Sequence, residues 1–330
     1  MDVLVVEPLD TEVLTWLTGR HAVQYAPELA QDPLGFRAAL AQAAAVVLPP
    51  SVALDAMALR RAPGLKVVGR LSVGADNIDL EACARAGIEV VRPASASALA
   101  EAEFAVGALL QLLRRMPIVS SEGLLVGREL GNMTVGIVGL APAAKPLAQL
   151  LGAFGATVLG YDPAVHLGDA AWQRVGIPPV SLRELLQASE AVVVLLDFYP
   201  RYTGLFSERL LEECMPNMAL VCLGHSALFD AKALARALNS GRLSGAWLDS
   251  LEPGLTDPGR PLAQISTLQV TPRVAATTRE SRSRSAWAIA RRIHALLSAA
   301  KSTPEEPASS DLKRQPSDAL ADPAGEPPPA

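Results

Sequence analysis

Short runs of β-branched residues alternate with longer Ala/Leu-rich amphipathic stretches from the first residue to about residue 272. Apolar runs that lack polar alternation suit strands buried on both faces, and the helical stretches between them supply the crossovers that parallel strands need. The pattern therefore predicts an α/β chain. In the first third, strands are expected at Val3–Val6, Ala45–Leu48, Lys66–Gly69 and Glu89–Val91, enough for one small doubly wound domain. Apolar residues at helical spacing then predict a long helix over Leu99–Arg115, ended near Met116 and Pro117 because Pro disfavours continuation. Beyond it, strands are expected at Thr134–Val138, Thr157–Tyr161, Ala191–Leu196, Ala219–Cys222, Ala246–Leu248 and Gln269–Thr271, roughly the strand count of a complete dinucleotide-binding sheet. Ala286–Ala299 reads as a final amphipathic helix. After Ala300 the chain turns to Lys, Ser, Glu and Pro, and residues 301–330 are expected to be a disordered tail that buries too little surface to offset its ordering entropy. No internal repeat is visible.

Composition narrows the classes. With 330 residues, half of them apolar, the chain can fill two cores. Twenty-nine basic against thirty-four acidic residues leave a net charge of −5, and no Lys/Arg cluster offers the footprint that nucleic acid needs. Cys83, Cys214 and Cys222 are too scattered for a disulfide framework or a zinc site, and four lone histidines form no ligand pair, so no metal is expected. The opening MDVLVVEP lacks the basic start of a secretory signal. The most apolar stretches, Leu99–Leu113 and Leu147–Leu159, are broken by charge, Gln or Gly before the roughly 18 residues of a membrane span. The expectation is a cytoplasmic protein with neither nucleic acid nor membrane as partner.

Candidate chemistry begins in VGIVGLAPAAKPLAQLLGAFGATVLGYDP, Val135–Pro163, which runs strand, Gly turn, helix, strand and Asp. A dinucleotide site needs Gly for the tight turn and for close approach to the pyrophosphate, and an acid about 20 residues on for the ribose hydroxyls. Gly139 and Asp162 meet the first and last demands; the other two glycine positions hold Ala141 and Ala144. Pro142 and Pro146 cannot both sit inside one helix, so the helix is expected to start near Ala144 or Lys145, drawing its amide-lined end back from a pyrophosphate. The cofactor expected is NAD in a weakened site, with NADP disfavoured by Asp162.

Five stretches, LKVVGRLSVGADNIDLEACARAGIEVV (Leu65–Val91), AEFAVGALLQLLRR (Ala102–Arg115), RELGNMTVGIVGL (Arg128–Leu140), LLEECMPNMALV (Leu210–Val221) and LSGAWLDSLEP (Leu243–Pro253), occur in the order and spacing of the D-isomer-specific 2-hydroxyacid dehydrogenases, which the chain resembles over about residues 1–300. The resemblance implies two doubly wound domains. One is a flavodoxin-like substrate domain, residues 1–96 with 274–300; the other is an inserted Rossmann domain, residues 97–273. It also implies a small 2-keto or 2-hydroxy acid as substrate and a homodimer built through the Leu99–Arg115 helix. Carried over residue by residue, Ser72, Val73 and Gly74 match the loop that holds the substrate carboxylate. Asp249 matches the acid that accepts from the nicotinamide carboxamide, and Asp162 the ribose ligand.

The catalytic positions depart from the family pattern. There, an Arg polarises the carbonyl and grips the carboxylate while a His paired with a Glu donates the proton. Here the Arg position holds His225, within Leu223-Gly224-His225-Ser226, and the His position after Thr271-Pro272 holds Arg273. The Glu position falls on Gly254 by a straight count and on Glu252 in a shifted register. Three readings follow. His225 and Arg273 have traded roles in one cleft, with His225 as proton donor and Arg273 as carboxylate clamp; or the chain is a non-catalytic nucleotide-sensing or protein-binding member, as the related corepressors are; or both are surface residues and nothing binds.

Overall fold

The computed structural model describes residues 1–302 except Val73, Ala75, Asp76, Met116, Leu251 and Pro253. The expected tail from residue 303 onward, and Val73 of the expected substrate loop, lie outside the described residues. Strands β1 (Val3–Val5), β3 (Ala45–Val47) and β4 (Val67–Gly69) carry no polar side chain and are buried along their length. They are the centre of a five-stranded parallel sheet, ordered β2-β1-β3-β4-β5, with β2 (Val23–Tyr25) and β5 (Glu89–Val91) at its edges. β2 was not among the expected strands. Its Val-Gln-Tyr sequence at a largely exposed edge makes no apolar run, and only its pairing with β1, from Val23 opposite Val3 to Tyr25 opposite Val5, defines it. Helices α1 (Thr11–Thr18), α2 (Pro33–Leu40), α3 (Ala56–Arg60) and α4 (Leu80–Arg85) cross between the strands. Asp32, Asp55 and Asp79 start the last three by accepting from amides of the first turn.

Helix α5 (Ala98–Arg115) carries the chain to the second sheet. With the turn before it, it reaches the length and hydropathy of a membrane span, Ala94–Arg115, which the reading of Leu99–Leu113 as an interrupted stretch did not anticipate. Its buried face, which includes Ala105, Leu109, Leu112 and Leu113, belongs to the second core and packs on α6 (Ala144–Ala153) and the strands described next. An antiparallel hairpin of β6 (Ile118–Val119) and β7 (Leu125–Val126), also unforeseen, follows α5 and exposes Val119, Leu124 and Leu125.

The second sheet contains β8 (Thr134–Val138), β9 (Thr157–Tyr161), β10 (Ala191–Val194), β11 (Met218–Cys222), β12 (Leu243–Asp249) and β13 (Leu268–Thr271), all parallel, ordered β13-β12-β11-β10-β8-β9. Outside β9, a single parallel bridge pairs Gly160 with Pro179. The consecutive prolines Pro178 and Pro179 have no N–H to offer, so no ladder extends from that bridge. Helices α7 (Ala170–Val175), α8 (Leu182–Ala188), α9 (Glu208–Glu213) and α10 (Ala231–Asn239) complete the cover. The strand order reverses between β8 and β10, and in open α/β sheets ligands bind beyond the carboxyl ends of the strands at such a switch point.

Helix α11 (Arg279–Ser302) starts earlier than expected and returns to the first sheet. Ala286, Ile289, Ala290, Ile293 and Leu297 share a core with Val3, Val5, Val47 and Val67. Gly69 of β4 leaves the room that this contact uses, since a Cβ there would stand 2.5 Å from Ile289 Cγ2. Three arginines of this helix are tied down. Arg292 forms two 2.6 Å bonds to the Glu89 carboxylate, Arg284 Nε donates to Ala96 O at 2.8 Å, and Arg282 reaches Glu7 at 3.3 Å. The acids and carbonyl they meet lie on the elements that α11 crosses. Ile289→Ala should lower the free energy of urea unfolding by about 2–5 kcal/mol, the usual cost of a cavity in a packed core. A change below about 0.5 kcal/mol, the size found at surfaces, would contradict this placement.

Candidate active site at the carboxyl ends of the strands

The turn after β8 is built around Gly139, whose φ of 105° is open to glycine and whose missing Cβ would lie 2.7 Å from Leu196 N. Its N–H donates to Tyr161 O at 2.7 Å, binding the turn to the end of β9. Asp162, next along, accepts from Leu140 N through Oδ2 and from Ala164 N through Oδ1, both at 2.8 Å. Its carboxylate thus fixes the glycine turn. Regular helix begins at Ala144, with Pro142 outside it and Pro146 in its first turn, the arrangement anticipated from the two prolines. Ala144 N is taken by Ala141 O at 2.9 Å, and neither proline has an amide to give a phosphate.

At the ends of β11, β12 and β13, His225, Glu252 and Arg273 come together. Glu252 Oε1 lies 3.1 Å from His225 Nε2 and 3.6 Å from an Arg273 terminal nitrogen. The shifted register is therefore the one that brings a carboxylate to the pair; Gly254 forms part of the following turn. The hydroxyl of Ser250 donates to Glu252 Oε2, and Ser226 N donates to that hydroxyl at 3.2 Å. Burial pushes the Glu252 carboxyl up, but the bonds from Ser250 and Ser226 together with the electrostatic attraction of His225 outweigh it and leave the carboxyl below its ordinary value.

His225 heads a short 3₁₀ turn, Ser226–Leu228, and its Nδ1 accepts from Ala227 N at 3.0 Å. The Phe198 ring stacks on the imidazole, with centroids 4.5 Å apart and planes at 28°. Arg273 has a φ of 52°, uncommon for a side chain with a Cβ, and a side chain exposed by about two fifths. Asp249 is buried. Its Oδ1 accepts from Thr271 Oγ1 at 2.6 Å and from Val274 N at 2.9 Å, and its Oδ2 from Ala275 N at 2.8 Å. It thereby holds the residues on both sides of Arg273.

Ser72 and Gly74 follow β4. Arg70 Nε donates to Gly74 O at 3.3 Å, and the Arg70 guanidinium lies 3.9 Å from Glu7. Among the described residues, Ser72 and Gly74 make no hydrogen bond to the His225–Glu252–Arg273 group. Among the described residues no cluster of His, Cys, Asp and Glu could hold a metal. Cys222 is fully buried and burial pushes its thiol up to about 12, which suits a small core residue.

Three participants were not foreseen. Phe198 lies in a segment of no motif, Ser250 lies in the Leu243–Pro253 stretch at a position to which the resemblance assigns no role, and Glu101 is one of four charged residues on a mostly apolar helix. Burial raises the Glu101 carboxyl; the 2.7 Å bond from Ser97 Oγ opposes this, and Asp197 and Asp249 nearby add to it. No spacing rule marks such residues, because they meet the site through the chain's return at other strand ends.

Residues 106–275 match the family model for the D-isomer specific 2-hydroxyacid dehydrogenase NAD binding domain. The chain is 33% identical over 270 residues to a D-3-phosphoglycerate dehydrogenase of Mycobacterium bovis, an alignment covering 79% of this chain and 50% of that protein. It thus spans about half the length of that relative. It is 30% identical over 295 residues to an (S)-sulfolactate dehydrogenase of Chromohalobacter salexigens, covering 87% of this chain and 95% of that one. The crystal structure of TT0316 protein from Thermus thermophilus superposes with a TM-score of 0.72 at 27% identity, over 91% of this chain and 97% of that chain. That of D-lactate dehydrogenase from Aquifex aeolicus complexed with NAD and lactic acid, at 22% identity, has the same fold, with a TM-score of 0.69 over 91% of this chain and 96% of that chain.

Because Glu252 is held below its ordinary value of 4.5, its contribution to stability is present above that pH and is lost as pH falls through the lower folded value. The stability gap between the native chain and Glu252→Gln should therefore narrow on acidification from about pH 7 to about pH 3, read by urea unfolding at each pH. A constant or widening gap would contradict the assignment.

Proposed function

This chain belongs to the D-isomer-specific 2-hydroxyacid dehydrogenase family, and from that premise we propose that it reduces a small 2-keto acid with His225 and Arg273 in exchanged roles. His225 faces the carbonyl oxygen and Arg273 clamps the carboxylate, assisted by the Ser72–Gly74 loop. The observation that carries this reading is the single Glu252 oxygen that meets both His225 and Arg273. Decay of the site would leave no reason for a family carboxylate to stay paired with two residues that have changed identity. In the wider division we take residues 1–96 with 274–300 as the substrate unit and residues 97–273 as the nucleotide unit.

The family's NAD-binding domain is present, and the residues fit the dinucleotide in part. The left-handed Gly139 and Asp162 suit the turn and the ribose, we take Asp249 as the acid assigned to the carboxamide, and the backbone at Ala141 and Ala144 would face the pyrophosphate. When bound, NADH supplies the hydride. This chain's loop offers the phosphates fewer donors than three glycines and an early helix would, and Ala141 adds a methyl, so we place its affinity below that of such a loop. That weakening favours a second reading, a non-catalytic nucleotide sensor. We also propose a homodimer through α5, with the exposed Val119, Leu124 and Leu125 of the neighbouring hairpin against the second copy.

One experiment separates the readings: NADH titration followed by fluorescence, then addition of pyruvate, glyoxylate and hydroxypyruvate. The proposal expects binding that tightens in an Ala141→Gly/Pro146→Ala variant. It also expects turnover about a hundredfold below the common enzyme value of about 10 per second, since loss of the Arg donor removes about 3 kcal/mol of transition-state stabilisation. His225→Ala should abolish that turnover. Binding without turnover supports the sensor, and no binding contradicts both.

A further inference from the structure

We infer that His225 carries its proton on Nε2 alone and serves as a hydrogen-bond donor to the substrate's carbonyl oxygen, with the Ala227 amide and the Phe198 ring as the positioning groups that set this state. The inference deepens the exchanged-role reading above and rests on it for the identity of the acceptor. The argument starts at Nδ1. A backbone N–H can only donate, and Ala227 N–H points at Nδ1 from 3.0 Å. A proton on Nδ1 would set two donors against each other at that distance. The amide cannot turn away, because its peptide is fixed on every side. Gly204 N donates to Ala227 O at 2.9 Å, Leu228 N to His225 O at 3.1 Å and Phe229 N to Ser226 O at 3.0 Å. Nδ1 is therefore an acceptor, and the ring's proton lies on Nε2, where Glu252 Oε1 receives it at 3.1 Å.

Phe198 adds an orientation. Stacked at 4.5 Å, it covers one face of the imidazole and opposes rotation of the ring out of the plane in which both nitrogens find their partners. The charged group that meets the ring's end is Glu252, and the same Glu252 oxygen also meets Arg273. This sharing has two consequences. Arg273 already draws on the negative charge that a second proton on the imidazole would require. When Nε2–H swings from Glu252 to a substrate oxygen, Glu252 keeps Arg273 as its partner, so the donor is released without leaving a carboxylate unpaired. A histidine wired in this way polarises the carbonyl, and the proton that completes the product hydroxyl once hydride has arrived is drawn from solvent water, which the partly exposed His225–Glu252 pair admits.

The test is two-bond ¹H–¹⁵N correlation of the imidazole rings in the intact chain without added nucleotide, with the His225 signal among the four histidines identified by its loss in His225→Gln. The expected result near neutral pH is a protonated Nε2 with an unprotonated Nδ1. Ala227→Pro, which deletes the donor, should let protonated Nδ1 appear, whereas Phe198→Leu should keep the pattern but broaden the ring signals. A protonated Nδ1 in the native chain overturns the inference, whether or not the variants fold. So does a folded Ala227→Pro whose pattern is unchanged. The turnover assay is read separately: absent turnover with the Nε2–H pattern intact counts against the exchanged roles and leaves the tautomer standing, while turnover with a protonated Nδ1 does the reverse.

Discussion

Asp249 is the carboxylate on which the arrangement of the site depends. It ends β12 inside the protein, and a buried charge must be met by donors or it destabilises the fold by several kcal/mol. The donors that meet it are Thr271 Oγ1, Val274 N and Ala275 N, all from the segment where the chain leaves the second sheet for α11. Trp247 Nε1 in turn donates to Thr271 Oγ1 at 3.0 Å, extending the network back into the strand. Satisfying one carboxylate thus sets the path of five residues, and Arg273 lies in the middle of them.

The left-handed backbone at Arg273 follows from that constraint. For a residue with a Cβ this conformation costs about 1–2 kcal/mol, and the bonds on either side of it hold the chain there. The result is a cation aimed back toward Glu252, at the end of the neighbouring strand. His225 reaches the same oxygen from β11. Three adjacent parallel strands therefore deliver three side chains to one point, as the carboxyl ends of an α/β sheet do in general. The opposite charges explain why the group can be half-buried: a carboxylate held by Ser250, His225 and Arg273 has lost little by leaving water.

Much of this was legible in the sequence because both sheets are parallel and buried. Central strands such as Ala191–Val194 are apolar on both faces and could be read directly, and the helix start at Ala144 followed from the positions of Pro142 and Pro146. What escaped was of a different kind. β2 is an exposed edge strand whose pairing alone defines it, and the exposed hairpin β6–β7 packs in neither sheet. The register that selects Glu252 over Gly254 depends on the path between β12 and β13, which no count of residues contains. Phe198 and Glu101 belong to the site through tertiary approach. The tethering of Arg282, Arg284 and Arg292 likewise needed the course of α11 across the first sheet. In each case a local pattern was silent because the partner comes from a distant part of the chain.

The central claim is that His225 and Arg273 form one unit around Glu252 in which the histidine and the arginine have changed places. It is tested most directly by changing them back and measuring kcat/KM for a 2-keto acid with NADH in His225→Arg, in Arg273→His and in the double variant. The account predicts that each single change, which places two arginines or two histidines on the same carboxylate, lowers the value, and that the double variant exceeds both singles and the native chain. A double variant no better than the singles would contradict it.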